Sequence, residues 1–195
     1  MSNPALATPA DKLGVREKSQ LMSAAEIERS LTRLAYEVIE RNGGAATLVF
    51  VGIRRRGAPL AERLARKVSA FERLEVPVAA LDITFYRDDL STIDDKPVVH
   101  ERVLPFSVEG KIVILVDDVL YTGRTTRAAL DAIIDEGRPG RVELCVLIDR
   151  GHRELPIQAD YVGRHVQTSN VEVIEVRLSE IDEQERVMLC ERTTS

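Results

Sequence analysis

Three nearly unbroken apolar stretches constrain this chain more than any other feature: TLVFVGI (47–53), the strand-like 111–116 ending in ILV, and VELCVLI (142–148). A strand with one wet face alternates apolar and polar residues. A strand that is apolar throughout has to be covered on both faces, as happens when helices sandwich a parallel sheet. The segments between fit that architecture. In SAAEIERSLTRLAYEVIERNGG, Ser23 and Glu26 form a capping box, Ile27, Leu31, Leu34 and Val38 share one face, and Gly43 and Gly44 supply the stop. RRRGAPLAERLARKVSAF reads as a basic loop entering a helix with Pro59 near its start. A third helix is expected at about 125–135, stopped by Gly137 and Pro139, with further strands at 76–86 and 171–178. Strands alternating with helices predict an α/β fold with a mostly parallel central sheet flanked by helices.

With 195 residues, 44% of them hydrophobic, the chain is sized for one domain. Residues 1–20, Pro/Ala/Ser-rich and then charged, read as a flexible N-terminal tail, leaving 21–195 as the single domain. RDDLSTIDDKPVVHERVLPFSVEG is too polar for core and reads as a long loop or mobile hairpin. Cys145 and Cys190 lie in apolar stretches without a CxxC or Cys/His cluster, so buried free thiols are expected. Neither a signal peptide nor a membrane span is evident, and a cytoplasmic protein is expected. The formal charge of -5 means that any nucleic-acid role must rest on a local basic patch.

The chemistry concentrates in ILVDDVLYTGRTTRAALDAI (114–133). In a parallel α/β sheet ligands bind at the carboxyl ends of strands, which is where Asp117 and Asp118 fall. The turn that follows offers the hydroxyls of Thr122, Thr125 and Thr126, curvature at Gly123, and unpaired amides at a helix start, a combination that favours phosphate. Carboxylates for hydroxyls or Mg2+ and a cradle for phosphate suit a phosphorylated sugar. A helix cap beside a solvated acidic pair would look the same by spacing alone. A Walker A loop and a GxGxxG dinucleotide site are both missing, and a receiver domain would leave the Thr/Gly loop unexplained. IRRRG (53–57) reads either as a solvated basic loop or as a diphosphate contact, and FYRDDLS (85–91) either as a charged turn or as a flap that excludes water. Tyr161 reads equally as core filler or as a base contact. His152, beside Arg153 and Glu154, reads as a surface or hydrogen-bonding residue rather than a general base.

VILVDDVLYTGRT resembles the signature of type I phosphoribosyltransferases, which bind 5-phosphoribosyl 1-diphosphate (PRPP). LTRLAYEVIERN, VGIRRRG, LDITFYRDDLS, ILVDDVLYTGRT, GRP and VLIDRGHRELPIQADYVG run in the order of the PyrR family, bifunctional pyrimidine operon attenuation regulators and uracil phosphoribosyltransferases, over about residues 20–178. The resemblance implies a type I phosphoribosyltransferase fold with a flexible flap and a small hood, and conversion of uracil and PRPP to UMP and diphosphate. It implies that Asp117 and Asp118 hold the ribose hydroxyls, and that Tyr121, Thr122, Gly123, Arg124, Thr125 and Thr126 surround the 5'-phosphate. Arg54, Arg55, Arg56 and Gly57 would meet diphosphate, with Arg55 standing where relatives often have threonine. Arg87 in the flap would steady the leaving group, and Asp88 and Asp89 would be structural or help place the metal. Tyr161 would pack over the base, and the Val162 backbone would bond its edge. Mg2+ would be bound mainly through substrate and water beside Asp117 and Asp118.

The same resemblance implies a pyrimidine operon leader RNA partner, contacted by Thr32, Arg33, Tyr36, Arg41, Arg153 and Arg164, and a homodimer or tetramer. Tyr36 stands where histidine is frequent and Gln158 where arginine is frequent. A uracil phosphoribosyltransferase without RNA regulation, and a purine or orotate phosphoribosyltransferase, are the alternatives.

Overall fold

The computed structural model describes residues 15–86 and 104–193. In chain order the elements are β1 (Val15–Ser23), α1 (Ala24–Asn42), β2 (Leu48–Ile53), α2 (Gly57–Glu72), β3 (Val78–Leu81), a 3-10 turn (Thr84–Tyr86), β4 (Ile112–Leu120), α3 (Arg124–Glu136), β5 (Arg141–Asp149), β6 (Tyr161–His165), β7 (Glu172–Arg177), α4 (Ser179–Asp182) and β8 (Arg186–Arg192). A five-stranded parallel sheet has the order β3-β2-β4-β5-β6. A second, antiparallel sheet has the order β1-β8-β7 and forms the small hood.

Covering on both faces explains the apolar strands. Leu48 and Phe50 of β2, Ile114 and Val116 of β4, and Cys145 and Leu147 of β5 pack under α1 and α2 with Leu31, Leu34, Leu60 and Leu64. Their alternates Val49, Val51, Val113, Leu115, Leu144 and Val146 pack under α3 with Ala128, Ala129, Ala132 and Ile133. The α1 boundaries follow the capping chemistry: Ser23 Oγ accepts the Glu26 amide, the Glu26 carboxylate accepts the Ser23 amide at 2.8 Å, and Gly43 closes the helix in the left-handed region. Both cysteines are buried free thiols. No helix among the described residues is long and apolar enough to cross a membrane.

Several expectations are corrected. Residues 15–20, assigned to the tail, belong to β1, because Val15–Ser23 pairs antiparallel with β8 and is reinforced by ion pairs of Arg16 with Glu191 of β8 and of Lys18 with Glu172 of β7. The strand expected over 76–86 shrinks to Val78–Leu81, and 84–86 is a 3-10 turn whose entry is fixed by Asp82 accepting the Thr84 amide. The strand at 171–178 leaves the main sheet for the hood, and β6 takes the outer position beside β5. On α3, Ala129 and Ile133 face the core, whereas Ile134 is 62% exposed. The flap expected at 85–91 and beyond falls largely, with Arg87, Asp88 and Asp89, outside the described residues.

Candidate active site

Strand β4 does not stop before the aspartates. It runs on to Leu120 because β5 is equally long, and Val119 and Leu120 pair with Ile148 and Asp149. Asp118 is skipped in that register, and the carboxylates take the local amides instead: Asp117 Oδ1 accepts Asp118 N–H and Asp118 Oδ1 accepts Val119 N–H, each at 2.9 Å. Asp117 is buried. Burial, and then the neighbouring Asp118 charge, push its carboxyl well above the ordinary range; burial also raises Asp118, against the pull of its hydrogen bonds and of the Arg56 charge. Raised, adjacent carboxyls of this kind are a pattern that clusters at functional sites.

Two helices begin beside these carboxylates, and neither has an acidic residue in its first turn or a side-chain cap. At α2, Gly57 sits so close to the Val116 carbonyl that any Cβ would collide with it. That contact locks the start of α2 against β4 and fixes the arginine loop before it. Arg54 and Arg55 are exposed, joined by a cis peptide bond, and Arg54 N–H is held by the Leu81 carbonyl at 2.9 Å. Arg56 is gripped by Asp182 of the hood through Nε at 3.1 Å and Nη2 at 2.7 Å.

At α3, Gly123 adopts φ 92° with Ile157 packed over it. Thr126 is buried, while Thr125 and Tyr121 keep partial exposure. The Thr122 carbonyl accepts the amides of Glu154 and Leu155 at 3.0 and 3.1 Å, and Arg124 Nε pairs with the Glu154 carboxylate at 2.7 Å. Arg150, itself buried, lays its guanidinium 4.1 Å from the Tyr121 ring centre and donates to the carbonyls of Ser169 and Glu172. The Thr/Gly turn and the loop after β5 are therefore one hydrogen-bonded unit. His152 Nε2 lies 2.6 Å from the Thr168 carbonyl, in keeping with a hydrogen-bonding role.

Tyr161, expected over a nucleobase, is a core residue. It is 2% exposed, and its hydroxyl donates to Glu143 Oε2 at 2.6 Å while accepting from Asn42 at 3.1 Å. Glu143 is level with Ile114, so the ring reaches back along β5, away from Asp117 and Asp118. The Val162 carbonyl, expected at the base edge, instead takes Arg33 Nη2 at 3.0 Å, and the Gly163 carbonyl takes the same nitrogen at 2.7 Å.

The proposed RNA residues divide. Arg33, Arg41 and Arg164 gather along the seam between α1 and β6: Arg41 pairs with Asp160 at 2.9 Å, and Arg164 reaches the Leu21 carbonyl. A shallow cleft there is lined by Met22, Glu26, Arg29, Ser30, Arg33 and Arg164, among others. Thr32 returns its hydroxyl to the Glu28 carbonyl, and Tyr36 stacks on Phe71 of α2 at 4.3 Å with its ring exposed. Arg153 is elsewhere and engaged, with Nη2 on Asp149 at 2.6 Å, Nη1 on the Tyr121 carbonyl at 2.8 Å and Nε on the Ile157 carbonyl at 2.9 Å. Its expected RNA contact is corrected to a loop brace, because its donors are spent inside the fold. Asp182, Arg150 and Asp149 were missed from sequence; an acidic residue 126 positions from its arginine partner leaves no local signal.

Among the described residues no three His, Cys, Asp or Glu side chains converge as a metal cage. Two adjacent carboxylates beside a Thr/Gly turn are a donor set that would suit Mg2+ keeping other oxygens and water as most of its ligands.

Comparison with known proteins agrees with this geometry. Residues 17–181 match the family described as "Phosphoribosyl transferase domain". The Bifunctional protein PyrR of Pelotomaculum thermopropionicum is 63% identical over 176 residues, covering 90% of this chain and 97% of the relative. That of Thermus thermophilus is 57% identical over 178 residues, covering 91% and 98%. Among solved structures, the hypoxanthine phosphoribosyltransferase of Trypanosoma cruzi superposes with a TM-score of 0.68 at 17% identity over 90% of this chain and 98% of that one. One from Staphylococcus aureus gives 0.66 at 19% identity over 88% and 92%, so these two share the fold. With the fold, the acidic strand end and the Thr/Gly turn in place, the chain belongs to the phosphoribosyl transferase domain family and, within it, to the PyrR family.

Proposed function

We propose that this protein transfers the 5-phosphoribosyl group of PRPP to uracil, giving UMP and diphosphate, and that in the cytoplasm it reads UMP as a signal when binding pyrimidine operon leader RNA. The observation that carries the enzymatic reading is the adjacent pair of buried Asp117 and partly buried Asp118 near the end of β4, next to an α3 start with neither an acidic residue nor a side-chain cap. Asp117 and Asp118 hold the ribose hydroxyls, and the Thr122–Thr126 turn holds the 5'-phosphate. As the bond between C1 and the diphosphate oxygen breaks, positive charge builds on the ribose ring and negative charge on the leaving group. Arg54 and Arg56 face that charge, with Arg55 beside them and Arg87 from the flap. Uracil N1 bonds to C1 and its proton passes to solvent, so no covalent nucleophile is needed. Mg2+, when bound, neutralises part of the diphosphate charge beside Asp117 and Asp118. The base lies by the loop after β5, which is fastened to the phosphate turn through Arg153 and Thr122.

Changing Asp117 and Asp118 together to alanine is expected to abolish transfer and leave the fold intact; near-normal UMP synthesis by that variant would overturn the reading. Assaying uracil, hypoxanthine and orotate with PRPP separates base classes, with uracil expected to react fastest. The regulatory half rests on the Arg29, Arg33, Arg41 and Arg164 seam. Filter binding to pyrimidine leader RNA is expected to tighten with UMP; affinity insensitive to UMP at low salt leaves the enzyme alone. A dimer or tetramer is the assembly expected in solution.

A further inference from the structure

The hood residue Asp182 contributes nothing to core packing, yet it makes the tightest connection between the hood and the arginine loop. Its Oδ1 and Oδ2 take Nη2 and Nε of Arg56 at 2.7 and 3.1 Å, the side edge of the guanidinium fork. Oδ2 also accepts Leu178 N–H at 3.0 Å, which fixes the carboxylate to the start of its own short helix. That helix is tethered a second time. Arg63 of α2 donates to Glu180 through Nε and Nη2, each at 2.7 Å, and to Glu185 through Nη1 at 2.5 Å and Nη2 at 2.9 Å. The carboxylate is thus held by its surroundings and does not follow the arginine.

The other end of Arg56 is equally fixed. Its backbone precedes Gly57, whose seat against the Val116 carbonyl leaves no room for a Cβ. Among the described residues no hydrogen-bond or ion-pair partner of Nη1 occurs, so the end edge of the guanidinium keeps donors open. Arg56 and Asp118 also lie close enough to act on one another electrostatically. A free arginine side chain loses rotamer freedom when a ligand orders it. One already clamped along Nε and Nη2 has lost that freedom beforehand and presents its remaining donors in a set direction.

We propose that Asp182 is a positioning residue for phosphoribosyl transfer: it orients Arg56 so that the free edge of the guanidinium meets the diphosphate of PRPP. This rests on the reading of the 54–57 loop as the diphosphate site. The opposite role, a resident carboxylate that competes with diphosphate for Arg56, predicts the reverse sign, so the two are separable by direction.

The test is a double-mutant cycle on the full chain with Asp182→Asn, which is isosteric and keeps an oxygen for the Leu178 amide, and Arg56→Ala. Expected for Asp182→Asn are a fall of about tenfold in kcat/KM for PRPP, an unchanged KM for uracil, and about tenfold weaker binding of inorganic diphosphate by calorimetry. In the Arg56→Ala background the same change is expected to do nothing further, and Asp182→Glu, which restores a carboxylate, recovers part of the loss. Tighter diphosphate binding by Asp182→Asn, no change, or a full additive loss on top of Arg56→Ala overturns the positioning role while leaving the loop assignment standing. Normal PRPP kinetics in Arg56→Ala overturns the loop assignment itself, and the inference with it. An effect that is only a general loss of folding would lower the thermal midpoint and both substrates' kinetics together, and would count against the proposal.

Discussion

Asp117 is buried where an ionised carboxylate is costly, so its proposed role and its contribution to stability have opposite signs. Its carboxyl titrates above the unfolded value. Stability from the neutral form is therefore complete below the unfolded pKa of ~3.9 and is lost as pH rises through the higher folded value. Asp117→Asn keeps an oxygen for the Asp118 amide and removes that dependence. It is expected to raise the ligand-free unfolding midpoint at pH 7 by ~2–4 °C, about 1 kcal/mol, while lowering transfer about a hundredfold. The midpoint advantage should vanish below about pH 4. Tyr161 shows the converse. Sequence alone leaves core filler and base contact equally open, and the buried hydrogen bond to Glu143 decides for the core. Glu143 is held below the usual carboxylate range through Asn42, Tyr161 and Arg141, in spite of its burial. Tyr161→Phe is expected to cost ~1–2 kcal/mol in chemical denaturation, because it strips a donor from a buried carboxylate, with KM for uracil unchanged.

At the scale of elements, the hood is joined to α2 by two arginine forks, Arg56 to Asp182 and Arg63 to Glu180 and Glu185. The Arg63 side chain is mostly buried, whereas Glu180 is well exposed, which limits what the second fork contributes. Arg63→Ala is expected to lower stability by ~1–2 kcal/mol. Hydrogen exchange should then quicken in α4 and the 183–185 turn while the β4 and β5 amides stay protected. Equal loss of protection throughout would mean that hood and sheet unfold as one unit. Neither fork was legible in sequence. Their members stand more than a hundred residues apart, and SEIDEQER reads locally as a charged surface stretch. By contrast α1 was legible almost to the residue, since its cap, apolar face and stop all lie within one local segment.

Taken whole, the molecule carries a formal charge of -5 and still gathers Arg29, Arg33, Arg41 and Arg164 along one seam. Net repulsion from RNA makes a local patch the only route to binding, and such binding is steeply salt-dependent. Replacing Arg33 and Arg164 with glutamine is expected to weaken leader RNA binding and to lower the slope of log K against log salt by ~0.7 for each phosphate no longer neutralised. Transfer from PRPP is expected to be unaffected, because β5 stands between the Arg33 and Arg164 seam at β6 and the strand that carries Asp117 and Asp118. Unchanged salt dependence would place the RNA on another face.

The sequence by itself determined the class of fold and which residues gather near the β4 end. Apolar runs record burial on both faces, and caps, glycines and an acidic pair before a Thr/Gly turn are local features whose meaning needs no distant partner. Only the tertiary structure decided that β4 continues through its aspartates, that the strand at Glu172–Arg177 belongs to the hood, that Tyr161 turns inward, that Arg153 is consumed within a loop and that Asp182 grips Arg56. The physical reason is common to all five. Pairing length, sheet membership and the partner of a charged side chain are settled by groups far apart in the chain, and a side chain's role follows from which of its donors and acceptors those groups leave free.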